Sequence, residues 1–154
     1  MGYIELDVVN NDAPRVVIGI DLGTTNSLAA IWEDTGPRVL TPDGLSASIP
    51  SVVHVPAEGN PVVGTDAKAQ AMVDPEHTVF SVKRMMGRGV EDLDLANNPL
   101  PYKVLEDDRK LAMVELHGKR MTPQELSAWI LVGVLEHARK ATGSEVAAAV
   151  ITVP

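Results

Sequence analysis

The stretch Val16 to Ser27, VVIGIDLGTTNS, constrains the fold more than any other part of the chain. An apolar run, Val16-Val17-Ile18-Gly19-Ile20, delivers a carboxylate, Asp21, into a polar turn, Leu22-Gly23-Thr24-Thr25-Asn26-Ser27. The chain becomes apolar again at Leu28-Ala29-Ala30-Ile31-Trp32. Two apolar runs around such a turn read as a hairpin, with strands at about 16–21 and 27–33. Gly23 lets the backbone take φ > 0 or approach a ligand closely. Thr24, Thr25 and Asn26 present donors in succession, the makings of an anion nest. Asp21 suits a hydrated Mg²⁺, which favours carboxylate oxygens together with water and phosphate. These residues leave two readings open. One is an ordinary hairpin turn, since Gly, Asn, Asp and Thr favour turns for conformational reasons alone. The other is a phosphate-and-metal loop at a strand end.

The hairpin leads into a meander. Asp34-Thr35-Gly36-Pro37 is a turn, Arg38-Val39-Leu40 a third strand, and Thr41-Pro42-Asp43-Gly44 a second turn. Ser46 to Val55 reads as a further strand that Pro50 restricts to an edge or a strand start. Asn60 to Gly64 reads as a short strand, and Thr65 or Asp66 can cap a helix running to about Val73. In HTVFSVKRMMG, residues 77–87, the spacing of Val79, Val82 and Met86 predicts a short amphipathic helix. Lys83 and Arg84 interrupt its apolar face, either as solvated charges or with Lys83 reaching a phosphate. Asp- and Asn-rich residues 90–101 are a loop. Tyr102 to Leu105 and Leu111 to Leu116 read as two strands, with His117 to Arg120 as the next turn.

Thr122-Pro123-Gln124-Glu125 is a capping box, with Thr at N-cap, Pro at N1 and Glu at N3. The helix it opens runs to about Thr142, where Gly143 ends it. Leu126, Trp129, Ile130, Val134 and Ala138 form its buried stripe, and Glu136 with Lys140 an exposed pair. The apolar run Val146 to Val153 after this helix predicts a parallel strand buried on both faces. Residues 1–14 read as a flexible extension, with Val8-Val9 as a candidate edge strand.

Composition closes off several function classes. A net charge of −8 argues against a nucleic-acid surface. Cysteine is absent, which removes disulfides and thiolate metal sites and fits a reducing, cytoplasmic setting. No apolar run approaches the ~20 residues that span a bilayer, and the opening lacks the h-region of a secretory signal. The histidines, His54, His77, His117 and His137, show no ligand spacing along the sequence.

The ordered string Ile20-Asp21-Leu22-Gly23-Thr24-Thr25-Asn26-Ser27 resembles the first phosphate-loop signature of the seventy-kilodalton heat-shock chaperones, the DnaK type. Phe80 to Arg88 is similar to the family segment that carries its catalytic lysine, and Val-Ile-Thr-Val-Pro at residues 150–154 is similar to a family strand ending in a hinge proline. The resemblance implies an α/β fold of the actin-like (ribonuclease H-like) ATPase class. It would be a partial first lobe at residues 15–154, a mixed sheet with an antiparallel meander and a parallel strand after a long helix. It implies ATP or ADP with Mg²⁺ as ligands. Gly23, Thr24, Thr25, Asn26 and Arg84 would lie at the nucleotide, Asp21 would hold the metal through water, Lys83 would be catalytic, and Pro154 would act as the interdomain switch. The implied activity is ATP hydrolysis controlling the binding of unfolded peptides, with a J-domain co-chaperone and a nucleotide exchange factor as further partners. Ser48-Ile49, where the family usually carries Thr-Thr before the proline, resembles the HscA branch slightly more than DnaK itself. No DGTG-like second phosphate loop occurs, so the expectation is an N-terminal fragment, inactive alone, of a larger ATPase. The alternatives are a sugar-kinase type phosphoryl-transfer enzyme and a non-catalytic actin-like interaction module.

Overall fold

The computed structural model describes residues 15–152; the expectations for Val8-Val9 and Pro154 lie outside them. β1 (Arg15–Asp21), β2 (Asn26–Glu33) and β3 (Gly36–Val39) form the expected antiparallel meander. Along β1 the side chains alternate, Ile18 and Ile20 buried, Val17 and Gly19 exposed, as the two-residue period of a strand requires.

The segment around Pro50 is two strands, not one. β4 (Ser48–Pro50) pairs with β2, Pro50 lying opposite Asn26. β5 (Val52–His54) belongs to a second sheet, in which β6 (Val62–Val63) is its antiparallel neighbour. Proline has no N–H to donate, so the first ladder stops there, and Ser51 carries the chain across. α1 (Thr65–Gln70) then starts directly after Gly64, whose φ of +82° turns the chain out of β6. Neither Thr65 nor Asp66 caps this helix through its side chain, and it stops short of Val73.

Residues 77–87 are not the single helix that their spacing predicts. β7 (Thr78–Phe80) completes the second sheet on β5. Ser81 then takes a left-handed conformation at φ 56°, and Val82–Met85 is one 3₁₀ turn. Val79, Val82 and Met85 are buried, with Met85 in the place expected of Met86. A strand, a left-handed residue and a short turn satisfy the same apolar spacing as a helix.

β8 (Lys103–Glu106), β9 (Ala112–Leu116) and β10 (Lys119–Met121) form a third, antiparallel sheet. The turn expected at residues 117–120 contracts to His117-Gly118, both at positive φ, the geometry of a two-residue hairpin. β10 is therefore a strand that the sequence reading placed in a turn.

α2 (Pro123–Thr142) is capped as the sequence predicts. The Glu125 amide donates to Thr122 Oγ1 at 3.1 Å, and the Thr122 amide donates to Glu125 Oε2 at 2.7 Å. Gly143, at φ 61°, closes the other end. Leu126, Ile130, Val134 and Ala138 are buried against Ile18, Ile20, Ala29, Val53 and Val79 in one continuous core. Each such side chain contributes about 1.5–3 kcal/mol when fully buried. Trp129 is only half-buried. Glu136 and Lys140 make no ion pair among the described residues; Arg139 instead reaches Glu145 at 3.1 Å.

β11 (Glu145–Thr152) runs parallel to β1 at the sheet edge, as expected. It is not buried on both faces: Val150 is 70% exposed and Ile151 38%. Its apolar composition therefore exceeds what the described residues cover, and only Val146 packs against the core.

Thr122→Ala is expected to cost about 1 kcal/mol in urea unfolding, the scale for losing an N-cap. The Glu125 carboxyl is held below its ordinary 4.5, first by the Thr122 amide and then by its hydroxyl. A carboxylate with a lowered folded-state pKa stabilises fully above its unfolded value, and that contribution fades as pH falls through the folded value. Glu125→Gln is thus expected to be less stable than wild type at neutral pH, with the gap closing in acid. A gap that stays constant as the pH falls contradicts this role.

Candidate functional site

The four residues 22–25 between β1 and β2 are shaped by contacts at both ends. Leu22 is buried and anchors the exit from β1. Gly23 is required sterically, not by a positive φ: a Cβ built there would lie 2.1 Å from the Asn26 carbonyl oxygen. Backbone therefore closes tightly on backbone at this position, without the left-handed turn that glycine also permits. At the far end, the Ser51 amide donates to the Thr25 carbonyl at 2.8 Å. The Ser27 and Ser51 hydroxyls meet at 2.9 Å, both residues almost wholly buried.

This arrangement turns Thr24, Thr25 and Asn26 toward a cavity of about 290 Å³. Pro50, Val52, Lys68, Ala71, Phe80 and Ser81 complete its wall. Among the described residues, no side-chain hydrogen bond engages Thr24, Thr25 or Asn26, so their donors are unspent. Larger depressions exist elsewhere, one of about 540 Å³ lined mainly by Val16, Val17, Ile31 and Trp32. That depression lacks this convergence of donors on a strand end, while one of about 660 Å³ is lined by polar side chains of α1, α2 and the loops, among them Ser46, Asn60, Asp66, Glu136 and Lys140.

Asp21 ends β1 and is exposed. One of its oxygens, Oδ1, accepts the Thr152 hydroxyl at 2.9 Å, which ties the tip of β1 to β11. Lys83 follows the cavity wall residue Ser81 by two positions, on the 3₁₀ turn that buried Val82 and Met85 anchor. It is half-buried and forms no ion pair among the described residues, but it does not itself line the cavity. Arg84 is exposed on the wall of a separate small depression with Leu93, Asn98 and Leu100. The structure thus brings Thr24, Thr25 and Asn26 together around one cavity, with Gly23 shaping their turn. Asp21 stands at the adjoining strand end, and Arg84 faces elsewhere.

The cation in the cavity wall is Lys68, on α1. Nothing in the local sequence marks it, because α1 reaches this wall only through the β5–β6 pairing. Tyr102 supports the wall residue Phe80. Its hydroxyl donates to the Phe80 carbonyl, and its ring meets Phe80 edge to face at 5.7 Å. Burial pushes the Tyr102 phenol above its ordinary range, so it stays a neutral donor.

A family model described as Hsp70 protein matches residues 17–154. The matched span contains the β1–β2 hairpin, the 3₁₀ turn with Lys83, and α2 with β11.

Gly23→Ala is expected to disrupt the turn, because the clash is with backbone and no side chain can yield. Amide resonances of residues 22–27 should move or broaden, while those of α2 stay in place. A variant whose loop resonances match wild type would show that the turn accommodates a Cβ.

Proposed function

Because the chain belongs to the Hsp70 family, whose ATPase domain has the actin-like fold and binds nucleotide, we propose that it grips the phosphates of ATP through Thr24, Thr25 and Asn26 in a chaperone driven by ATP hydrolysis. The observation that carries the proposal is the set of unspent donors converging on one cavity at the end of β1. Neutral hydroxyl, amide and backbone donors held in advance of binding are what an anionic ligand needs, since they cost no reorganisation when it arrives.

Asp21 suits a hydrated Mg²⁺. Its Oδ1 is oriented by Thr152, its other oxygen accepts no hydrogen bond among the described residues, and it adjoins the phosphate donors. Bound there, Mg²⁺ supplies charge neutralisation at the phosphate oxygens. Lys83 is assigned to the terminal phosphoryl group, where a fixed cation stabilises the charge that develops as water attacks phosphorus and ADP leaves. Support comes from its lack of a competing ion pair among the described residues and its place two residues beyond Ser81. Arg84 is assigned a supporting role in the electrostatics around the site, and Lys68 is a second cation available to the phosphates. Pro154 is proposed as the switch through which nucleotide state governs the binding of unfolded peptides, with a J-domain protein and an exchange factor acting on that cycle. The family match favours this reading over a sugar kinase. Ser48 and Ile49 are the residues that lean toward the HscA branch, and they lie on β4 beside the loop.

Titrating MgATP into the chain is expected to shift the amide resonances of Gly23 to Ser27 selectively, with weak affinity. Shifts confined to other regions, or none at millimolar nucleotide, contradict the assignment. In a form of the protein that turns over ATP, Lys83→Ala is expected to slow single-turnover hydrolysis by ~10²–10³, the loss typical of one electrostatic donor. An unchanged rate rules out the role given to Lys83.

A further inference from the structure

Asp74 and His77, three positions apart, meet the distant His117 at a second place. Asp74 precedes the 3₁₀ turn Pro75–His77, and His77 ends it. His117 occupies the β9–β10 hairpin turn at φ 49°. The two imidazoles stack with centroids 3.6 Å apart and planes 7° from parallel. His77 Nδ1 lies 2.7 Å from Asp74 Oδ1. His117 Nε2 lies 2.9 Å from the Val55 carbonyl oxygen. One donor atom from each of Asp74, His77 and His117 falls within 4.8 Å of the other two.

The hydrogen bonds determine what these groups can offer. A carbonyl oxygen only accepts, so neutral His117 carries its proton on Nε2 and keeps a lone pair on Nδ1. Metal-binding histidines commonly donate their other ring N–H to a backbone carbonyl in this way. Asp74 is held from behind, since Thr78 Oγ1 donates to its backbone carbonyl at 2.7 Å while also meeting His54 Nδ1 at 3.1 Å. Two imidazole nitrogens and one carboxylate oxygen are a donor set that zinc accepts, with a further position left for water.

We propose that Asp74, His77 and His117 form a site for a divalent transition metal ion of the zinc type. The ion takes the place of the proton between Asp74 Oδ1 and His77 Nδ1, and the His77 ring proton moves to Nε2. His117 supplies Nδ1. A single ion cannot meet both rings while they remain parallel, so the stack opens; His117, exposed on a two-residue turn, is the ring that tilts, pivoting on its Nε2 bond to the Val55 carbonyl. Bound metal would fasten the β5–β6–β7 sheet, through Asp74 and His77, to the β8–β9–β10 sheet, through His117. Nitrogen donors select against Mg²⁺ and Ca²⁺, which favour oxygen, so this site is chemically distinct from the Asp21 position.

The test is calorimetric titration of Zn²⁺ into the chelator-treated chain. It is followed through the imidazole resonances of all the histidines. A single equivalent is expected to bind at micromolar affinity or tighter, moving His77 and His117 but not His137. His117→Asn, chosen because asparagine tolerates the left-handed turn, and Asp74→Asn should each weaken binding by at least ~10–100-fold, the range seen even for outer-shell partners. Asp21→Asn should leave binding intact, and Mg²⁺ should not compete. Failure of the wild-type chain to bind Zn²⁺ stoichiometrically overturns the proposal. So does equal affinity in His117→Asn, or imidazole shifts that bypass His77 and His117.

Discussion

A buried pair of hydroxyls holds the centre of this structure. Ser27 and Ser51 meet at 2.9 Å, beside the bond from the Ser51 amide to the Thr25 carbonyl at 2.8 Å. Buried polar groups must find partners, because leaving one unsatisfied costs about 1–3 kcal/mol. Each hydroxyl therefore fixes the other, and together they fix where the chain crosses from the first sheet to the second. Pro50 ends one ladder, Ser51 spans the gap, and Val52 begins the next. The loop of residues 22–25 is braced from its far side by this crossover. Without it, Thr24, Thr25 and Asn26 would form an ordinary flexible turn, and their donors would not converge.

The same short strand serves both ligand readings. Val52, at the start of β5, lines the cavity beside Thr25 and Asn26. Just beyond its end, the Val55 carbonyl accepts from His117. β7 runs alongside, with Phe80 at the cavity and Thr78 close to the Asp74 backbone. A two-strand pairing buried around Val53 and Val79 thus carries the cavity beside Thr24, Thr25 and Asn26 at one end and the histidine cluster at the other.

Features encoded by neighbouring residues were legible in the sequence. Thr122 to Glu125 announce the start of α2 because the capping box is a local exchange of hydrogen bonds. Gly143 announces its end because the left-handed turn needs glycine. The hairpin from Val16 to Trp32 declares itself through apolar runs on either side of a polar turn. Features decided by distant pairing were not legible. Val79, Val82 and the following methionines fit a helix by spacing alone; the pairing of Val79 with Val53 and the left-handed Ser81 make them a strand and a turn. Lys68 reaches the cavity beside Thr24 and Thr25 only because α1 packs on β5 and β6. The histidines carry no spacing signal, since His77 and His117 meet through the packing of two sheets. β11 was legible in direction but not in burial, because composition reports what a strand can bury and not what covers it.

The Ser27–Ser51 contact holds the loop of residues 22–25 in shape. Native-state hydrogen exchange at the Ser51 amide, compared between wild type and Ser27→Ala, tests it most directly. Slow exchange is predicted in wild type, with exchange at least about tenfold faster in the variant, which corresponds to losing roughly 1.4 kcal/mol of local stability. The amides of Val114 and Ile130 should exchange at unchanged rates. Equal Ser51 rates in the two proteins, or acceleration spread evenly over the core, would contradict the account.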